Sequence, residues 1–504
     1  MASYGLRVAV IGAGAAGLCS ARHILARPAT FEPPVVFEMA GQVGGTWVYS
    51  DPSENDAQSH SPMYRDLKTN LPKEIMEFPD FPFDPSLPSF IHHSDVLKYL
   101  EEYTDKFSIR PHIKFNSRVA SVSPVLSDGD QRKVSWDVTV HHHDDDKQVA
   151  QRFDAVMVCV GHYSHTFIPN IAGIEKFQGQ VLHSNSYRYP EVFSSRSVVL
   201  LGSGPSGVDI AIELSQHAKH VTLSHRGPPM QWTPPQNFSV APPVVGASPN
   251  TLICEDGTEI MADTLIFCTG YKYNYPFLLP SEEQVVNQEK GGNGEPTRKR
   301  NFITCEGEGC GTILDSNEGL ERNGERLLFN ENMSIKRDDS NLSLLEDEDI
   351  VGPDVGQGHL PLLYRHLLHA RYPTMCFIGA CKIIVPFPLC HCQVQFFLSV
   401  LEGKCRIPPP EQMLSESLEE LRNHQRAGLP LKYLHRLSSD QWDYNQWLAD
   451  TAGFEPLAPV LKKLYEAIRD FRSLNPVLYR SFNITILNKE EFEIQKDPVR
   501  DTDE

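Results

Sequence analysis

At 504 residues with 40% apolar content, the chain is long enough for two or more domains with ample cores, and too apolar to be disordered. A formal net charge of −19 argues against nucleic acid or an anionic membrane surface as partner. Eleven scattered cysteines, an odd number, read as thiols of a reduced, cytoplasmic protein rather than a disulfide framework.

Met1 leads at once into an apolar strand, with no basic region, secretory core or cleavage site. The run Val8 to Ile11 is far shorter than the ~20 residues that span a bilayer. The tail Lys496-DPVRDTDE is polar, so no membrane anchor is expected.

Residues 7 to 27 read as strand, glycine turn, helix, and Val35-VFE as a second strand ending at Glu38. Gly41 to Asp84, rich in proline, glycine and aromatics, reads as a long ordered loop. A helix is expected from His93 to Lys106 with Ser94 as its N-cap. Val119-ASV, Val134-SWDVTV and Phe153-DAVMVCVG read as a meander, with turns at Ser127-DGD and His141-HHDDDK. A connector, Ile168 to Pro190, leads to a second strand–glycine turn–helix unit at Ser197-VVLLGSGPSG, whose domain runs to about Tyr271. Between Glu283 and Asp349 stand 16 acids and 8 bases, so Gln284 to Ile350 reads as a polar, flexible insertion. Order resumes at His359-LPLLYRHLL and the strand Met375-CFIGA, and Glu411 to Ile468 is helical in pattern.

In the first unit, Gly12 makes the tight turn off the strand, Gly14 lets the backbone approach a pyrophosphate, and Gly17 lets helix and strand pack closely. The helix start supplies amide donors. Glu38, at the tip of the next strand, is placed to grip a ribose hydroxyl and repels a 2′-phosphate, which points to FAD or NAD. In the second unit Gly202, Gly204 and Gly207 repeat the spacing. There the next strand, Val221-TLSHR, ends on Arg226, whose guanidinium suits a 2′-phosphate and selects NADP. Two such loops in one chain suggest two dinucleotides held together to pass a hydride.

With Phe177-QGQVLHSNSYR between them, the loops resemble those of the flavin-containing monooxygenases, class B flavoprotein monooxygenases. Phe177, Gly179, His183, Tyr187 and Arg188 fill that family's identifying motif. Gly44-GTW, Leu67-KTNLPKEIMEFPDFPF and Thr264-LIFCTGYKYNYPF are similar to three further family stretches, with Cys268 where alanine is usual. The similarity runs from Arg7 to about Tyr275 and from His359 to about Pro410; the long polar insertion departs from it.

Elements and resemblance together imply an α/β fold of two Rossmann-like, doubly wound, three-layer dinucleotide-binding domains, the second inserted in the first. The expected parts are an FAD-binding domain at 1–168 and 351–445, an NADPH-binding domain at 169–282, the insertion at 283–350, and a C-terminal helical extension at 446–504. The resemblance implies FAD held by Gly12, Gly14, Ala15, Ala16, Gly17, Glu38, Gln42, Val43, Thr46, Trp47, Thr69 and Asn70. NADPH would be held by Gly202, Ser203, Gly204, Pro205, Ser206, Gly207, Ser224 and Arg226, with His225 as a helper. It further implies a reaction with O2 through a C4a-hydroperoxyflavin, giving oxygen to an amine nitrogen or sulfide sulfur. Asn70 would be the key polar residue beside the oxygenated cofactor, and His183 and Arg188 would couple domain position to cofactor binding. The partners are then a small amine or sulfide and O2, with a homodimer left open.

A Baeyer–Villiger monooxygenase uses the same cofactors but usually shows tryptophan where Tyr187 stands. A disulfide reductase needs a redox cysteine pair by the flavin, and the chain has no CxxC. A non-catalytic nucleotide-binding protein, disabled by the insertion, is the reading from another class. No metal site is expected. Successive strand histidines at His141 to His143 cannot face one ion, Cys390 and Cys392 lack a partner pair of suitable spacing, and so do Cys305 and Cys310.

Overall fold

Two parallel sheets are built in the same way from different stretches of chain. The computed structural model describes residues 5–51, 61–127, 130–143, 147–227, 232–278, 360 and 363–496. The insertion at 283–350, with Cys305 and Cys310, lies outside them. The first sheet runs in the order Leu363–Tyr364, Leu368–His369, Met375–Phe377, Ala155–Val158, Val8–Ile11, Val35–Phe37, Ile113–Lys114. Its last five strands are parallel, and its first two are added antiparallel. The second sheet, parallel throughout, runs Phe238–Ala241, His220–Ser224, Ser197–Leu201, Thr264–Phe267, Gln180–His183. All its strands fall in sequence between Ala155–Val158 and Met375–Phe377, so the second domain is inserted in the first. Parallel strands covered on both faces must be apolar on both. Accordingly Val8–Ile11, Ala155–Val158 and Thr264–Phe267 are buried at every position.

The meander differs from its reading at one end. Its strands are Ser117–Ser127, Asp130–His142 and Lys147–Phe153. The chain then leaves it at Asp154 and enters the first sheet as Ala155–Val158. The switch is pinned at Asp154, whose carboxylate accepts the Arg7 N–H at 2.8 Å. A continuous apolar run cannot report that its two halves belong to different sheets. The helix His93–Lys106 is capped by His92 rather than Ser94: the His92 ring accepts the Ser94 N–H, and Asp95 accepts the His92 N–H at 3.2 Å.

Past the first sheet come the helices Pro386–Leu401, Pro410–Arg426, Gln441–Ala452 and Pro459–Leu474. The helix Gln441–Ala452 crosses the boundary drawn at 445/446, and the C-terminal segment is not helical alone. It ends in an antiparallel hairpin, Phe482–Ile486 with Phe492–Lys496. Val460, Leu464, Tyr465 and Ile468 form the buried stripe of Pro459–Leu474. Leu464, Tyr465 and Ile468 pack with Ile75, Phe90, Val385 and Trp442, which seats the segment on the long loop of the first domain. Among the described residues no helix is long and apolar enough to cross a membrane.

Candidate active site

The two glycine turns match bond for bond. Gly12 N–H donates to Phe37 O and Gly202 N–H to Ser224 O, both at 2.8 Å. Gly12 and Gly202 take φ of +103° and +113°, and a Cβ on either would stand 2.7 or 2.6 Å from the carbonyl oxygen of Cys159 or Cys268. A Cβ on Gly17 or Gly207 would fall 1.8 or 1.9 Å from the carbonyl oxygen of Gly12 or Gly202. Each helix therefore crosses its strand with room for hydrogen only. The helices Ala15–Leu25 and Pro205–Ser215 start on Gly14 and Gly204 without a side-chain cap. Their first N–H groups, including those of Ala15, Ala16 and Ser206, are left for a ligand. Gly14 lies against Gly45, and a Cβ on Gly45 would stand 3.0 Å from the Gly14 Cα. Around Gly204 a Cβ would meet nothing within 4 Å, and Ser203, Pro205 and Ser206 are exposed beside it.

Glu38 is buried at the first strand tip, accepting the N–H of Ala13 at 2.7 Å and of Ala40 at 2.8 Å. Burial pushes its carboxyl pKa up, while the Ala40 and Ala13 N–H groups pull it back. Gln42 is exposed and Val43 buried. Trp47 is half-buried, edge-on to Phe387 with ring centroids 6.4 Å apart. Thr46 and Thr69 each carry a buried hydroxyl without a hydrogen-bond partner.

The second tip is arranged differently from its reading. Ile11 pairs with Phe37, and Leu201 with Ser224, so the residue in register with Glu38 is His225. Arg226 is one residue further on and exposed. His225 is buried, its Nδ1 accepts the Gly227 N–H at 3.0 Å, and its Nε2 has no partner. Burial lowers its pKa and favours the neutral ring. Ser224 turns inward, against its assignment to the ligand: its hydroxyl donates to Pro242 O at 2.7 Å and accepts the Val244 N–H at 3.0 Å.

Asn70 follows a strand-like bridge in which Thr69 N–H donates to Ile91 O at 2.9 Å. It lines a cavity of about 290 Å³ together with Ser203, Gly204 and Pro205 of the second turn and Arg472 and Tyr479 of the C-terminal segment. The long loop of the first domain and the second phosphate turn therefore face one space.

The stretch from Phe177 to Arg188 forms a joint. A Cβ on Gly179 would strike the Phe177 ring at 2.5 Å and Asp263 O at 2.7 Å. His183 ends an edge strand, its Nε2 3.1 Å from Gly270 O and its Nδ1 accepting the Asn185 N–H at 3.1 Å. Tyr187, buried, donates to Glu213 at 2.9 Å and meets the Tyr64 ring edge-on at 5.4 Å. Arg188 donates to Asn185 O at 2.6 Å, to Tyr187 O at 2.9 Å and to Ser61 O at 3.3 Å. Its carbonyl accepts the Arg65 N–H at 2.8 Å. The motif thus fastens the second domain to the loop that carries Asn70.

A family model described as flavin-binding monooxygenase-like matches residues 5–232. The flavin-containing monooxygenase FMO GS-OX-like 2 of Arabidopsis thaliana is 30% identical over 465 residues, covering 88% of this chain and 84% of that protein. The chain belongs to the flavin-containing monooxygenases. Among solved structures, S-allyl-L-cysteine S-oxygenase from Allium sativum is similar over 95% of both chains, with a TM-score of 0.72 and 27% identity. Cyclohexanone monooxygenase shares the fold at a TM-score of 0.53 and 15% identity.

As a flavin-containing monooxygenase, the protein is an N- or S-oxygenating enzyme whose cofactors are FAD and NADPH. Its residues leave room for both: Gly14 and Gly45 approach closely, the hydroxyls of Thr46 and Thr69 are buried without a partner, and the space at Gly204 is open. Sequence reasoning missed Arg469, Arg472, Arg480 and Asp209, which surround Asn70 in this monooxygenase. Helical spacing gave a signal for Arg469 alone, which falls outside the apolar stripe of Pro459–Leu474, whereas Arg472 continues the row of Val460, Leu464 and Ile468. Cys390 and Cys392 are buried in the core, but His391 lies with Cys19 and His23, their ligand atoms all within 4.8 Å. The two rings bond each other at 3.2 Å and Gln395 bonds His391 at 2.9 Å. Burial chiefly, then His391, Arg22 and Arg27, lower the His23 pKa.

Proposed function

We propose that this enzyme uses NADPH and O2 to oxygenate the sulfur of a small thioether: sulfide, NADPH, a proton and O2 give sulfoxide, NADP⁺ and water. The observation that carries the reading is the shared cavity, in which Asn70 of the FAD-side loop stands beside Ser203 and Gly204 of the second phosphate turn. The first turn would hold FAD, which when bound and reduced with NADPH would supply the activated oxygen.

The protein's part is to bind, orient and exclude water. The helix starts after Gly14 and Gly204 and the first-turn residues Ala15, Ala16 and Ser206 receive the pyrophosphates. Glu38 takes the adenosine ribose of FAD, and Val43, Thr46, Trp47 and Thr69 enclose the ring system. His225 and Arg226 form the end of the second strand that meets the 2′-phosphate of NADPH. Asn70 presents a neutral amide donor, which steadies the reacting oxygen without delivering a proton that would release peroxide. Because sulfur attacks with its own lone pair, no nucleophilic triad is required of the chain. The choice of sulfur over nitrogen rests on the similarity to S-allyl-L-cysteine S-oxygenase across 95% of the chain.

The deciding experiment is NADPH oxidation by the purified yellow protein with a thioether, a tertiary amine or a cyclic ketone, with product identification. Sulfoxide formed in step with NADPH consumption is the expected result. A colourless protein, or one that releases only hydrogen peroxide whatever is added, overturns the monooxygenase reading. Preferential N-oxide overturns the choice of sulfur.

A further inference from the structure

We propose that the C-terminal helix Pro459–Leu474 is a third wall of the dinucleotide site, and that Arg469 and Arg472 take phosphate oxygens of NADPH from the side opposite the second glycine turn. The proposal rests on that turn being the NADPH site.

The argument begins with the helix. Its apolar stripe faces the core; Arg472, four residues past Ile468, continues that stripe at its edge and is half-buried, whereas Arg469 lies off it and is exposed. Arg469, Arg472 and Ser473 line the same cavity as Ser203, Gly204 and Pro205. A glycine-rich turn offers N–H groups along one side of a pyrophosphate only. The anion's other oxygens need donors from elsewhere, and a guanidinium matches a phosphate with paired N–H groups. In a chain of net charge −19, two arginines converging on one cleft make a local exception to the general sign.

Three acids lie nearby, of which Glu466 acts on Arg469 through its charge alone. Asp470 engages only the Nε of Arg469, at 2.9 Å. Asp209, which also lines the cavity, is held by Arg480 at 3.1 and 2.6 Å. Arg472 reaches the Asn70 carbonyl oxygen at 3.5 Å, so a ligand gripped by Arg472 is registered against the residue beside the chemistry. The buried Tyr479 hydroxyl, also on the cavity wall, is within hydrogen-bonding reach of Arg472.

The wall is fixed rather than hinged. Beyond its pairing with Asp209, Arg480 donates to Thr69 O at 2.9 Å and to Lys68 O at 3.4 Å. Its anchor therefore spans the C-terminal segment, the Asn70 loop and the helix after the second turn. Donors held in place before binding lose little freedom on binding.

The test uses the full-length, FAD-loaded enzyme. NADP⁺ is titrated by the change in flavin absorbance for the parent, for Arg469→Gln/Arg472→Gln, and for Gly204→Val, at a cavity-lining position where an added Cβ meets nothing within 4 Å. Lys462→Ala, on the same helix and outside the cavity, is the control. The double variant is expected to keep its flavin, to bind NADP⁺ about 10- to 100-fold more weakly, and to show a shallower dependence of affinity on salt. The thioether KM should not move. Should the double variant fail to fold, Arg472→Lys alone is expected to weaken NADP⁺ by a smaller factor. Unchanged NADP⁺ affinity in the double variant, with binding lost in Gly204→Val, overturns the clamp and leaves the NADPH site standing. Unchanged affinity in both overturns the clamp and the site together. A raised thioether KM with unchanged NADP⁺ affinity gives the arginines to an anionic substrate and also overturns the proposal.

Discussion

Arg480 grips both carboxylate oxygens of Asp209 across 271 residues of sequence, and both side chains are only 17% exposed. Removing one partner of a pair this buried leaves the other charge without compensation. Asp209→Ala is expected to cost about 3–5 kcal/mol of stability. Arg480→Ala should cost a similar amount and also free the Lys68 and Thr69 carbonyls. Thermal melts of the two single variants and the double variant test this, and the double variant should be less destabilised than the sum. Additive losses would show that the two residues act separately.

The two glycine turns can be broken independently. Gly17→Ala sets a methyl group 1.8 Å from Gly12 O, and Gly207→Ala sets one 1.9 Å from Gly202 O. Each forces a helix off its strand, at a cost of about 1–3 kcal/mol or more. The first variant should purify colourless or not at all. The second should purify yellow, with the KM for NADPH raised at least about tenfold, since one lost charge-assisted contact is about 1.5–3 kcal/mol. A yellow Gly17→Ala protein with normal flavin content would contradict the assignment of the first turn.

Asn70→Ser keeps the loop's backbone and removes the amide donor. Flavin content and NADPH-driven flavin reduction should persist while sulfoxide falls by about 100-fold, the scale of one lost donor at a reacting oxygen. Hydrogen peroxide should appear in place of product. Product formation within a factor of two of the parent would remove Asn70 from this role.

Glu213 makes the joint sensitive to pH. Burial first, with the Tyr187 hydroxyl opposing, pushes its carboxyl from 4.5 to about 7. The folded chain thus holds a proton that the unfolded chain releases, so the stabilisation is complete below the unfolded value and is lost as pH rises through about 7. Glu213→Gln keeps a neutral acceptor for Tyr187 and should be about 1–3 kcal/mol more stable than the parent at pH 8, with little difference near pH 4. Urea midpoints at the two values decide it; a difference independent of pH would mean that Glu213 does not titrate in this range.

The strand–turn–helix units were legible because their cause is local. Glycines at 12, 14 and 17 and at 202, 204 and 207 meet steric limits set by the chain within a few residues and by the strand alongside. Glu38 was legible for the same reason, lying one residue beyond a short apolar strand. The second tip was not. Counting from the apolar run chose Arg226, whereas the pairing of Leu201 with Ser224 puts His225 at the equivalent place and turns Ser224 inward. Strand register is set by the neighbouring strand, which the run itself does not describe.

The sequence by itself determined two strand–glycine turn–helix units, the acid at the first strand tip, and the family to which the chain belongs. All three follow from spacing and side-chain chemistry over stretches shorter than one supersecondary unit. Only the tertiary structure decided that Asn70, Gly204 and Arg472 line one cavity, and that Arg480 ties Asp209 to the loop at Thr69. Those neighbours are hundreds of residues apart along the chain. They meet because an apolar helix face seats the C-terminal segment against the first domain, and local pattern carries no record of which surface such a face will find.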